Sequence, residues 1–138
     1  MLPSDIVQYS INLKNYFKTN DPFKIAQNLD ISINYINLNK KAVQAYTLKP
    51  FENAPPIISI NSNFDMRSQK ILCAHELGHA IFHQDTFNHF DGDSIMNSKE
   101  YEANLFAVAL LFDLSKFNMS ILKMDNYLLK SLLDYNIK

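Results

Sequence analysis

Apolar residues recur at helical intervals over about Ser4 to Lys18, where Ile6, Tyr9, Leu13, Tyr16 and Phe17 fall on one stripe. Asp21-Pro22 reads as an N-cap followed by proline at the first helical position, opening a short helix through Leu29. From Ile31 the period drops to two, with Ile31, Ile33 and Tyr35 set against Ser32 and Asn34, which predicts a strand. Val43 to Leu48 predicts a second strand after a turn at Asn39-Lys40-Lys41. Pro50 and the pair Pro55-Pro56 bracket a loop, and Ile57-Ile58-Ser59-Ile60 makes a third short strand. The remainder is helical. One helix is expected from about Asp65 to Gln84, another from about Ser98 to Phe112, and one or two more in the leucine-rich tail from Ser115. This order predicts an α+β fold, a small three-stranded sheet packed against several helices.

Composition narrows the function classes. The 138 residues are 47% hydrophobic and 20% charged, which predicts one globular domain over residues 1–138. Thirteen basic and fourteen acidic residues leave a formal charge of -1, so no basic face is expected and no direct binding of nucleic acid. Two glycines, Gly78 and Gly92, are too few for a glycine-rich phosphate loop. Cys73 has no partner for an internal disulfide. With neither a signal-like N-terminus nor an apolar run of membrane-spanning length, a cytoplasmic location is expected.

The chemistry lies in His75-Glu76-Leu77-Gly78-His79, an HExxH motif on the best-predicted helix. Residues four apart on a helix are separated by ~40° of azimuth and ~6 Å of rise, so both imidazoles can converge on one ion. Glu76 projects to the side, where it can act on a water without binding the metal itself. Ala74, Leu77 and Ile81 form the opposite, core-facing stripe. Gly78 in a helix interior costs roughly 1 kcal/mol and predicts close approach of another helix.

A catalytic zinc needs a third protein ligand. The HExxHxxGxxH pattern fails, since Phe82 and Asp85 occupy its glycine and third histidine positions. His83 lies ~12 Å up the axis from His75, too far to share an ion. His89 would have to fold back from a loop. Glu100 and Glu102 remain. Asn97-Ser98-Lys99-Glu100 resembles a capping box, which gives Glu100 a structural task. Glu102 shares a face with Leu105, Phe106 and Ala109, so the helix must bury it or aim it at something positive. The metal ligands expected from sequence are therefore His75, His79 and Glu102, with Glu76 as the catalytic base and zinc as the cofactor.

These segments resemble the ImmA/IrrE family of metallopeptidases. The resemblance rests on Pro56 to Asn61, Arg67, Ala74 to Ile81 and His83, and on a second motif, Glu102-Ala103-Asn104-Leu105-Phe106-Ala107 with Leu110-Leu111. Asp21 to Ala26 is similar to the family's N-terminal helix. The resemblance implies a zincin-like core with a gluzincin-like zinc site made by both motif histidines and the second-motif glutamate. It also implies a setting in phages or mobile elements and a partner that is a helix-turn-helix repressor, cleaved or antagonised. The family's frequent proline after the second motif is replaced here by Phe112-Asp113.

The mechanism expected is zinc-assisted peptide hydrolysis with Glu76 as general base, and the strand Ile57 to Asn61 offering its edge to an extended substrate. The rival is a zinc-bearing protein that blocks a repressor by contact and cuts nothing. Among the other residues, Cys73 is expected as a buried small hydrophobe, and Asp91-Gly92-Asp93 as a turn. Tyr46 is expected as a packed strand residue, with oxyanion stabilisation as its alternative if it faces the cleft.

Overall fold

The computed structural model describes residues 1–83 and 93–138, with side chains in the second span from residue 98 onward. The described elements are α1 (Pro3–Phe17), α2 (Pro22–Asn28), β1 (Ser32–Ile36), β2 (Ala45–Leu48), β3 (Ile57–Asn61), α3 (Met66–Phe82), α4 (Asp93–Leu111) and α5 (Asn126–Tyr135). Two 3₁₀ turns, Leu114–Lys116 and Ile121–Lys123, connect α4 to α5. The class is α+β, as the pattern predicts. Expectations that fall on Gln84, Asp85, His89 and Asp91-Gly92 lie outside the described residues.

Helix starts follow local chemistry. The Asp21 carboxylate accepts from the Phe23 N–H at 3.0 Å with Pro22 at the first position. Asp65 accepts from Ser68 N–H at 2.8 Å, and Asp125 from Leu128 N–H at 2.8 Å. One expected start is wrong. α4 begins at Asp93, so Asn97 lies inside the helix and cannot be its N-cap. The helix start expected at Asn97–Glu100 is not where α4 begins, and Glu100 stands in the helix interior.

The sheet order is β1-β3-β2, with β1 parallel and β2 antiparallel to β3. β3 is thus the central strand. Ile58, Ser59, Ile60 and Asn61 are all buried, the mark of a strand covered on both faces. The expectation that β3 presents its edge to a substrate is therefore wrong, because both of its edges are already paired. β2 is the edge strand on that side. Its alternation puts Ala45 and Thr47 on the half-buried face and Tyr46 and Leu48 on the exposed one.

The core runs between the sheet and the helices. Ile58 and Ile60 meet Ile71, Ala74 and Leu77 of α3 in a cluster that includes Leu105, Phe106 and Leu110 of α4. α3 and α4 touch closely at Gly78. A Cβ there would stand 3.1 Å from the Ala103 Cα and 3.3 Å from Phe106 Cδ2, which explains the glycine in mid-helix. α1 is tied to α4 through the Lys14 ammonium, which donates to the Ala109 carbonyl at 2.9 Å. Cys73 is fully buried, and desolvation raises its thiol pKa far above the ordinary value.

Asn61, fully buried at the end of β3, organises the approach to β2. Its amide donates to the carbonyls of Leu38 and Val43, each at 2.9 Å, and its oxygen accepts from the Asn63 N–H at 3.0 Å. Asn61→Ala leaves these backbone groups without their partner, at about 1–3 kcal/mol for a buried unsatisfied group. Denaturant unfolding is expected to show a loss of about that size. A change within about 0.5 kcal/mol would show that the chain between β1 and β2 is held by other means.

Candidate metal centre

α3 carries His75 and His79 one turn apart on the face turned from the core, and their Nε2 atoms stand 3.1 Å apart. α4 brings a carboxylate to the same point. Glu100 Oε2 is 3.2 Å from His75 Nε2, and its Oε1 is 3.0 Å from His79 Nε2. Donor atoms of His75, His79 and Glu100 all lie within 4.8 Å of one another. The structure thus brings Glu100 to the histidine pair where the sequence pointed to Glu102. The earlier start of α4 removes Glu100 from the cap, and the contact of α4 with α3 at Ala103 and Gly78 brings it to the histidines.

Glu102 has a different partner. Its Oε1 lies 2.8 Å from His83 Nε2, and His83 Nδ1 lies 2.8 Å from His79 Nδ1. Where zinc was expected, Glu102 meets the buried His83 imidazole. Burial outweighs the Glu102 bond and pushes the His83 pKa below its ordinary value.

The donor set fits a zinc ion. Four ligands placed tetrahedrally at ~2.0–2.2 Å from zinc lie about 3.3–3.6 Å from one another. The three nitrogen–nitrogen and nitrogen–oxygen separations here are 3.0–3.2 Å. Two imidazole nitrogens and a carboxylate facing one point are electron-rich on every side, which favours a cation or protons between them. His75 also has an outer partner. The Asn104 amide nitrogen donates to Asn126 Oδ1 at 2.7 Å, and its side chain hydrogen bonds the His75 ring.

Glu76 stands beside this group and outside it. It is 8% exposed, and its Oε2 lies 3.9 Å from His75 Nε2. The Thr47 hydroxyl, 2.8 Å from Glu76 Oε1 and 3.2 Å from the Glu76 carbonyl, fixes the carboxylate. Sequence reasoning missed Thr47 and Asn104. The signals were a hydroxyl on the inward face of β2 and an amide among the apolar residues of α4. Tyr46 lies on the opposite face of β2 from Thr47 and is 37% exposed, so it is neither a packed core residue nor turned into the cleft. The cleft, about 270 Å³, is lined by His75, Glu76 and Glu100, by Ala45 of β2 and by Leu133 of α5.

The chain belongs to the IrrE N-terminal-like domain family, a peptidase family whose profile matches residues 26–136. It is 33% identical over 98 residues to uncharacterized immunity region protein 2 of Bacillus phage phi105, covering 69% of this chain and 60% of that protein. The chain therefore spans less than two-thirds of that relative's length. No solved structure matches it significantly. No described helix is long and apolar enough to cross a membrane.

Electrostatics at the centre gives the metal-free protein a pH signature. Bonds from His75 and His79 hold Glu100 well below the usual carboxylate range. Burial disfavours charge on His75, yet the Glu100 bond and the nearby Glu76 charge outweigh it and raise its pKa. Glu100 contributes stability above the unfolded value of ~4.3, lost as pH falls through its depressed value; His75 contributes below ~6.5, lost as pH rises through its raised one. Their contact is fullest between these limits. In chelator, Glu100→Gln is expected to lower the melting temperature more at pH 6 than at pH 9. An equal drop at both values would contradict the contact.

Proposed function

We propose that this chain is a zinc-dependent endopeptidase, with His75, His79 and Glu100 as metal ligands and Glu76 as general base. The observation that carries the reading is the convergence of three donor atoms within 4.8 Å, with a buried glutamate alongside. Zinc held there would supply Lewis acidity, lowering the pKa of a water and polarising a peptide carbonyl. Glu76 takes the proton from the attacking water and returns it to the leaving amine. Thr47 holds one Glu76 oxygen, which leaves the other directed to the cleft. An extended substrate would lie along β2, the edge strand beside the cleft, in place of β3.

The substrate favoured is a helix-turn-helix repressor of a phage or mobile element. Support comes from the family and from a relative encoded in a phage immunity region. Residues 1–138 would act as one catalytic domain in the cytoplasm, without direct contact to nucleic acid.

Purified protein is expected to hold about one zinc per chain by elemental analysis, and His79→Ala and Glu100→Ala to lose most of it. Glu76→Gln should retain the metal and cleave the cognate repressor about 10²–10⁴-fold more slowly. Repression relieved equally by wild type and Glu76→Gln, with no fragments formed, would replace the peptidase reading with antagonism by contact. Metal retained in Glu100→Ala and lost in Glu102→Ala would reverse the two glutamates.

A further inference from the structure

Behind the candidate centre, three side chains stand in a hydrogen-bonded file. Glu102 Oε1 meets His83 Nε2 at 2.8 Å, and His83 Nδ1 meets His79 Nδ1 at 2.8 Å. His79 Nε2, the far end of the file, faces His75 and Glu100. A carboxylate only accepts, so His83 Nε2 carries a proton and gives it to Glu102. A nitrogen–nitrogen separation of 2.8 Å requires one proton between the two rings. When His79 gives the lone pair of Nε2 to a metal, its own proton is on Nδ1 and His83 Nδ1 accepts it, so the file matches the form a metal ligand needs.

We propose that Glu102 and His83 are positioning residues that fix His79 with its proton on Nδ1 and its Nε2 open to metal. The inference rests on the zinc reading of the centre and gives Glu102 a different task from ligation. Imidazole tautomers exchange readily in water, and a ring held with the wrong nitrogen bare offers the metal an N–H. His83 is 8% exposed and sits at the C-cap of α3, where its own N–H bonds the His79 carbonyl at 2.9 Å. The partner ring is thus tethered by backbone and side chain to the residue it orients. Lost outer partners of metal-bound histidines typically weaken metal binding 10–100-fold.

The test is zinc affinity of the purified chain, measured by competition with a chromogenic chelator. Glu102→Ala and His83→Phe are each expected to bind 10–100-fold more weakly while still saturating at one equivalent. The double variant should bind no more weakly than His83→Phe alone, because Glu102 acts through His83. His83→Asn keeps an acceptor near the Nδ1 position and should bind more tightly than His83→Phe. Unchanged affinity, additive losses, or Glu102→Ala failing to saturate while His83→Phe saturates would each overturn the proposal.

Nitrogen-15 NMR of wild type separates this failure from failure of the zinc reading and does not depend on any variant folding. His83 should carry its proton on Nε2 and none on Nδ1, with or without added zinc; a proton on Nδ1 overturns the file. A wild-type chain that takes up no zinc while showing this His83 form would refute the zinc reading and leave the hydrogen-bonded file standing.

Discussion

The close contact of α3 with α4 at Gly78 is the constraint on which the site depends. A side chain at residue 78 would press on the Ala103 backbone at 3.1 Å, so only glycine lets the two helices approach this far. Glu100 lies three residues before Ala103, on the same face of α4, and the contact carries it to the histidines. His75 and His79 flank Gly78 on α3. Helix-to-helix distance and donor-to-donor distance are therefore set together. The helix propensity lost at Gly78 is offset by the burial that close packing allows around Leu77, Ala103 and Phe106, all fully buried.

Around this contact, the donor atoms are oriented from outside. His75 bonds the Asn104 side chain, which in turn bonds Asn126 at the start of α5. His79 bonds His83, and Glu76 bonds Thr47 on the edge strand. Four elements thus contribute to one cleft, and every side chain but His83, at the C-cap of α3, does so from regular structure. Side chains on helices and strands lose less on ordering than side chains on loops, because packing already fixes their rotamers.

Much of this was legible in the sequence. Asp21-Pro22 marks α2, the switch to a period of two marks β1, and the spacing of His75 and His79 puts both on one helical face. Gly78 announces a tight helix contact. What the pattern could not fix was strand order, since short apolar strands carry no label for edge or centre; β3 proved central and β2 the edge. The start of α4 was misplaced by five residues, from Ser98 to Asp93, because Asn97 and Glu100 mimic a capping box. That one misreading gave Glu100 a cap and sent Glu102 to the metal. His83 was weighed only as a ligand and rejected on distance. Its place one turn beyond His79 also suits an outer partner, which is the task the geometry supports.

The central claim is that His75, His79 and Glu100 surround one metal. Crystals grown with zinc and measured at the zinc absorption edge test it most directly. The account predicts one anomalous peak at about 2.0–2.2 Å from His75 Nε2, His79 Nε2 and a Glu100 oxygen, with Glu102 remaining against His83. A peak that takes Glu102 as its third protein ligand, or no peak between the two histidines, would contradict it.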